Sequence, residues 1–161
     1  MSFMSELTEP LVRQGLVAPE DLVGCTVEEI ETLKESQGVT TLPARYREFL
    51  EQGGRTPYWL AHLGEWHYEW LLEAKNIARE IVEDHGDDFA PYADAFIFQT
   101  HQGYMFLYFR AADLSQLDPH VWTYTQGRPA KGSDQPFTQW LGDLAAYLPH
   151  AIRLRRDLGP R

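Results

Sequence analysis

The side chains with which this chain could do chemistry are few, and their spacing argues against most of the chemistry they suggest. His62, Glu65 and His67 invite a zinc reading. The two imidazoles are five residues apart, however, which places them neither on one helical face, where i and i+4 meet, nor on one side of a strand. Solvated or core-edge histidines are the expectation. His85 with Asp84, Asp87 and Asp88 offers oxygen ligands to a hard cation, but the alternate-position ligands and distal glutamate of a calcium loop are missing. A helix end followed by a solvated acidic loop fits better. Cys25 precedes a helix start, where a thiol can ionise more easily, yet no His or Asn can be assigned to activate it; a packed structural cysteine is expected. Glycine-rich phosphate loops, Gly-x-Ser-x-Gly elbows and paired His/carboxylate signatures are absent. No catalytic residue, no metal and no cofactor are therefore expected.

What stands out instead is charge. Between Glu65 and Asp94 nine carboxylates face only Lys75 and Arg79. Such runs are usually solvated surface. Here the run accompanies Trp59, Trp66 and Tyr68, and aromatics beside acids are what an interface with a basic protein would use. The candidate partner-binding set is Trp59, Glu65, Trp66, Glu69, Glu73, Glu80, Glu83, Asp84, Asp87 and Asp88. The whole chain carries 24 acidic and 14 basic residues, net -10, which disfavours nucleic acid as a direct partner. Residues 153–161 hold four arginines against Asp157, so the body is more acidic still.

Composition sets the frame for these residues. At 161 residues, 43% apolar and 24% charged, the chain matches one folded domain and lies far from the disordered class. Residues 1–161 are expected to form a single unit, with 1–23 as an N-terminal extension, 24–148 as the core and 149–161 as a basic tail. The N-terminus lacks the basic start and apolar run of a secretory signal, and no stretch approaches the ~18 apolar residues of a membrane helix. With one cysteine and no disulfide available, a cytoplasmic protein is expected, without membrane association.

The elements that would position the charged stretch follow from punctuation. A short helix around Pro10 to Gln14 stops at Gly15, and Pro19 opens another turn. Thr26-Val-Glu-Glu29 reads as a capping box leading a helix from Val27 to Gln37 that Gly38 ends. Leu42-Pro43 then starts a second helix, with Tyr46, Phe49 and Leu50 at i, i+3, i+4 and Gly53-Gly54 as its stop. The stretch from Arg55 to Trp66 is aromatic but shows no period. From Tyr68 to His85 a broad apolar stripe predicts one long amphipathic helix with its acids facing outward. Phe96–Phe98 and Tyr104–Phe109 predict a hairpin turning at Gly103, the second strand apolar on both faces and so covered on both sides. His120–Thr125 predicts a third strand turning at Gln126-Gly127. Phe137, Trp140, Leu141, Leu144, Ala145 and Leu148 predict a final helix bounded by Pro136 and Pro149. The fold class is α+β: N-terminal helices on a mostly antiparallel sheet, a long middle helix and a C-terminal helix.

In that order, Gly24-Cys25, the Glu29-Ile30 helix, Leu42-Pro43-x-x-Tyr46-x-x-Phe49-Leu50, Gly53-Gly54, the phenylalanine-rich hairpin, Asp118-Pro119-x-Val121 and Phe137-Thr138-x-Trp140-Leu141 resemble the SUKH superfamily over roughly residues 24–148. The segment from Trp59 to Asp88 is bulkier than the resemblance leads one to expect. The resemblance implies binding rather than catalysis. Bacterial members of that superfamily are largely toxin-immunity proteins, frequently against nucleases, and its fungal relatives look like cell-wall and signalling regulators. It therefore implies a cognate toxin domain, a basic nuclease among the candidates, met by a monomer or weak dimer. The alternative is an intracellular scaffold of the same fold with housekeeping partners.

Overall fold

The computed structural model describes residues 2–62 and 64–158. Ser2 caps α1 (Phe3–Arg13) by accepting from the Ser5 N–H at 3.1 Å, so this helix starts a full two turns before the proline expected to open it. Pro10 lies inside it. Met4, Thr8 and Leu11 form its buried side, and the Met4 N–H donates to the Glu48 carboxylate at 2.8 Å. In α2 (Val27–Gln37) the capping box is complete: Thr26 Oγ1 accepts from the Glu29 N–H at 3.1 Å and Glu29 accepts from the Thr26 N–H at 3.0 Å. Gly38, at φ 68°, ends it in the left-handed conformation that favours glycine. α3 (Ala44–Gln52) turns Tyr46, Phe49 and Leu50 inward.

Four strands, β1 (Phe96–His101), β2 (Met105–Phe109), β3 (His120–Thr125) and β4 (Lys131–Pro136), form an antiparallel meander in chain order. The first hairpin turns through Gln102 and Gly103, both at positive φ, 49° and 76°. β4 carries no aromatic or β-branched residue, so its own sequence gives no strand signal; pairing with β3 supplies it.

Both faces of the sheet are covered, as the all-apolar β2 requires. Leu107 and Phe109 point to one core with Phe96 and Phe98, and Phe106 and Tyr108 point to the other with Ile97 and Tyr124. The first core is thick. It takes residues from α1, α2, α3 and α6 (Phe137–Asp157), and its centre is a ring cluster in which Tyr46 lies 5.4 Å from both Phe109 and Phe137 and Phe98 stacks on Phe109 at 4.7 Å. The second core is thin, with α5 (Ala74–Asp84) and the Phe89–Tyr92 turn laid over the sheet.

The single helix expected over 68–85 is two: α4 (Tyr68–Leu71) and α5, parted by a turn at Leu72–Glu73. The packing explains the break. Tyr68 and Leu71 belong to the thick core, whereas Ala74, Ala78, Ile81 and Val82 belong to the thin one, so the apolar stripe must change sides of the sheet between residues 71 and 74. The C-terminal helix also differs from expectation. Pro149 does not end α6, which continues to Asp157. One lost amide bond is tolerated where good helix formers such as Ala151, Leu154 and Arg156 follow.

Candidate protein-binding surface

The ten residues singled out from the sequence divide into structural and surface groups. Trp59 and Trp66, named from the sequence as candidate partner contacts, are buried, at 7% and 4% exposure. Trp59 donates its indole N–H to the Gly53 carbonyl at 2.8 Å, and Trp66 stacks on Phe49 at 5.4 Å. With no period in this stretch, the sequence could not say which aromatic turns outward. It is Tyr58, at 71% exposure.

Glu65 closes the outer edge of β1. Its backbone exchanges both bonds with Thr100, at 2.9 and 3.1 Å, and its carboxylate accepts from the Thr100 hydroxyl at 3.0 Å. The same oxygen of Thr100 accepts the Trp70 indole N–H at 2.7 Å. Glu69 pairs with Arg55 at 3.2 Å, and Arg55 is also held by Glu29 at 2.8 Å. The bond from the Thr26 N–H, and after it the Arg55 guanidinium, hold the Glu29 carboxyl below its usual range. Asp87 accepts from Tyr124 at 2.8 Å and Asp88 from the Ala90 N–H at 3.0 Å, so the acidic loop is in part a set of turn bonds. Burial first, and then the bond to Asp87, keeps the Tyr124 phenol above its ordinary pKa.

The remaining acids converge. Glu73, Glu80 and Asp84 recur at seven and four, lining one strip of the outer side of α5 with Glu83 beside it, all exposed. Glu83 lies 4.0 Å from Arg79, whose guanidinium packs 4.7 Å above Phe89, and Glu73 accepts from Asn76 at 3.3 Å. Glu80 and Asp84 have no ion-pair partner among the described residues.

The residues with chemical potential are otherwise occupied. His62 bonds to Gln99 at 2.7 Å and packs edge-on to Trp66 and Trp140; burial holds its pKa below the usual imidazole value. His67 precedes α4 with its ring 5.9 Å from Tyr58. No three His, Cys, Asp or Glu side chains among the described residues are grouped to hold a metal. Cys25 is buried, and desolvation pushes its thiol up to about 12, the reverse of an activated nucleophile.

The described residues line two hollows in the surface. One, of about 270 Å³, lies between Glu20, Asp21 and Val23 on one wall and Thr56, Tyr58 and Trp59 on the other. The larger, about 450 Å³, is lined by residues including Arg110, Asp113, His120 and Trp122. Its cation is already engaged: Arg110 holds both Asp113 oxygens, at 2.8 and 3.3 Å, and sits 4.4 Å over the Trp122 ring.

Beneath these surfaces the motifs read from the sequence meet in pairs. Gly24 passes so close to α3 that a Cβ there would collide with the Glu51 carbonyl, and next to it the Cys25 N–H donates to Leu50 at 2.7 Å. Asp118 caps the start of α6, accepting from the Thr138 N–H at 3.0 Å and its hydroxyl at 2.6 Å, so Asp118-Pro119 and Phe137-Thr138 are two halves of one contact. The family model described as SMI1 / KNR4 family (SUKH-1) matches residues 24–143. The chain belongs to the SMI1 / KNR4 family. SMI1 / KNR4 membership is consistent with immunity or regulatory roles, and the family generally works by binding proteins rather than by catalysis. No curated protein and no solved structure matches the chain. α1 and residues 144–157 of α6 lie outside the matched span. No described helix is long and apolar enough to cross a membrane.

Proposed function

We propose that this protein is a cytoplasmic immunity protein that neutralises a cognate toxin domain by surface complementarity, with no catalytic step of its own. The observation that carries the reading is the outer side of α5, where Glu73, Glu80, Glu83 and Asp84 stand exposed on a helix whose other side is fixed to the sheet. A strip of four carboxylates met by a single arginine, Arg79, on a rigid support raises the encounter rate with a basic partner and disfavours anionic competitors. Such a partner would be a toxin domain, a basic nuclease among the candidates. Membership of a family with immunity roles supports the same reading.

The test is co-expression with a toxin domain found in a neighbouring reading frame, together with binding of the two purified proteins across a salt series. The expected result is rescue of growth and tight one-to-one binding that weakens with salt. Reversing Glu73, Glu80 and Glu83 to Lys together should slow association by tenfold or more at low salt. Unchanged affinity and unchanged salt response in that variant would rule out the α5 face. Weak binding to several housekeeping proteins, without rescue, would instead identify a scaffold.

A further inference from the structure

The α5 strip can steer a partner, but it offers no exposed large apolar side chain with which to anchor one. The hollow beside Tyr58 does. We propose that this cleft receives an arginine side chain of a protein partner, stacked on Tyr58 and bonded to Glu20 and Asp21. The inference rests on the reading of the chain as a protein-binding module, and adds the chemistry of one contact.

Tyr58 is the most exposed of the large apolar side chains described, at 71%, in a segment otherwise buried: Pro57, Trp59 and Leu60 on either side of it face inward. Buried neighbours fix the backbone that carries Tyr58, and a tyrosine has only two side-chain torsions to order on binding. The opposite wall is fixed as well. The Arg55 N–H donates to the Val23 carbonyl at 3.0 Å, tying the two sides of the cleft together, and the Arg55 carbonyl accepts from the Tyr68 N–H at 2.9 Å. Such preorganisation lowers the cost of association.

Charge decides the occupant. Arg55 already engages the nearby Glu29 and Glu69, whereas Glu20 and Asp21 have no ion-pair partner among the described residues. The cleft therefore presents an aromatic face, the apolar Val23 and two uncompensated carboxylates in a space suited to one long side chain. A planar guanidinium satisfies all three: its face lies on the ring and its N–H groups fork to a carboxylate. The acidic body excludes an anionic ligand.

The experiment titrates the full-length chain, by amide NMR, with acetyl-Gly-Arg-Gly-amide and with its Gln and Lys counterparts. The expected result is a saturable shift at Asp21, Val23, Thr56 and Tyr58 with the arginine peptide, at least tenfold weaker with lysine and absent with glutamine. Tyr58→Ala, and separately the pair Glu20→Gln and Asp21→Asn, should each weaken binding tenfold or more, with the rest of the spectrum unchanged to show an intact fold. Glu80→Gln with Asp84→Asn should leave it unaltered. Shifts that fail to saturate, spread equally over α5, persist in Tyr58→Ala, or appear as strongly with lysine would overturn the proposal. None of these readouts depends on a toxin, so failure here is separable from failure of the immunity reading.

Discussion

The two sides of the sheet are built on different principles. On the thick side, helices from both ends of the chain converge on stacked and edge-on rings, with Tyr46, Phe49, Phe98, Phe109 and Phe137 all within 6.2 Å of a neighbouring ring. On the thin side, α5 approaches the sheet through its small residues Ala74 and Ala78, and each aromatic contact involves a tyrosine, among them Tyr92 5.4 Å from Tyr124 and Phe106 stacked on Tyr124 at 5.0 Å. The larger core lies on the thick side, whereas the acids of α5 stand over the shallower one. A binding module gains from this division, because the outer side of α5 can vary without disturbing the ring cluster.

The largest effect should come from the thick side. Phe137→Ala removes a fully buried ring packed against five others and should cost about 3–5 kcal/mol in urea unfolding. A loss near 1 kcal/mol would show that the thick core does not dominate.

Next comes the seam between the two sides. Gln37, buried in α2, donates to the Leu71 carbonyl at 3.1 Å and the Ile97 carbonyl at 2.8 Å, and accepts from the Ile97 N–H at 2.8 Å. It holds the end of α4 to the edge of β1 where that strand departs from regular register, between Ile97 and Gln99. Gln37→Leu leaves these backbone groups unpaired and should cost about 3 kcal/mol, with hydrogen exchange fastest at residues 71–74 and 97. Uniform protection across the two sides would contradict a seam.

The thin side contains a charge it would be more stable without. Lys75 is buried, its ammonium donating to the Ala93 carbonyl at 2.7 Å, and burial lowers its pKa to about 8 despite the opposing pull of Asp94. Below pH 8 both folded and unfolded chains hold the proton and the cost of burying it is fully present. As pH rises towards the unfolded value near 10.5, the folded state has lost the proton first, and stability rises. Lys75→Met should therefore be the more stable protein at pH 7, by about 1–3 kcal/mol, with the gap narrowing above pH 8. A gap independent of pH would show that the ammonium is solvated.

The smallest effect is expected on the outer strip. Glu80→Gln with Asp84→Asn should change stability by no more than about 0.5 kcal/mol while altering salt-dependent association. A larger loss would mean that these acids support the fold.

What was legible in the sequence follows the same division. Thr26, Gly38 and the Leu42-Pro43 helix were readable because capping and helical period are local, and β2 because its apolarity on both faces permits no other placement. The split of residues 68–85 was not, since the stripe keeps its period while the core it serves changes. Nor was β4, whose Lys-Gly-Ser-Asp-Gln-Pro sequence becomes a strand through its neighbour. At the surface, the α5 acids were legible as a helical strip. Tyr58 stands beside Trp59 in a stretch without period, and the indole bond that turns Trp59 inward is not visible in the sequence.

The strand order has a kinetic consequence. Every pair of neighbours in the sheet is also a pair of neighbours in the chain, so each strand pairing closes a short loop and can form early. The link from Gln37 to Ile97 spans 60 residues and can form only once α2 has found the finished edge of β1. Refolding should thus proceed from a preformed meander to which the helices dock, with Gln37→Leu accelerating unfolding far more than it slows folding.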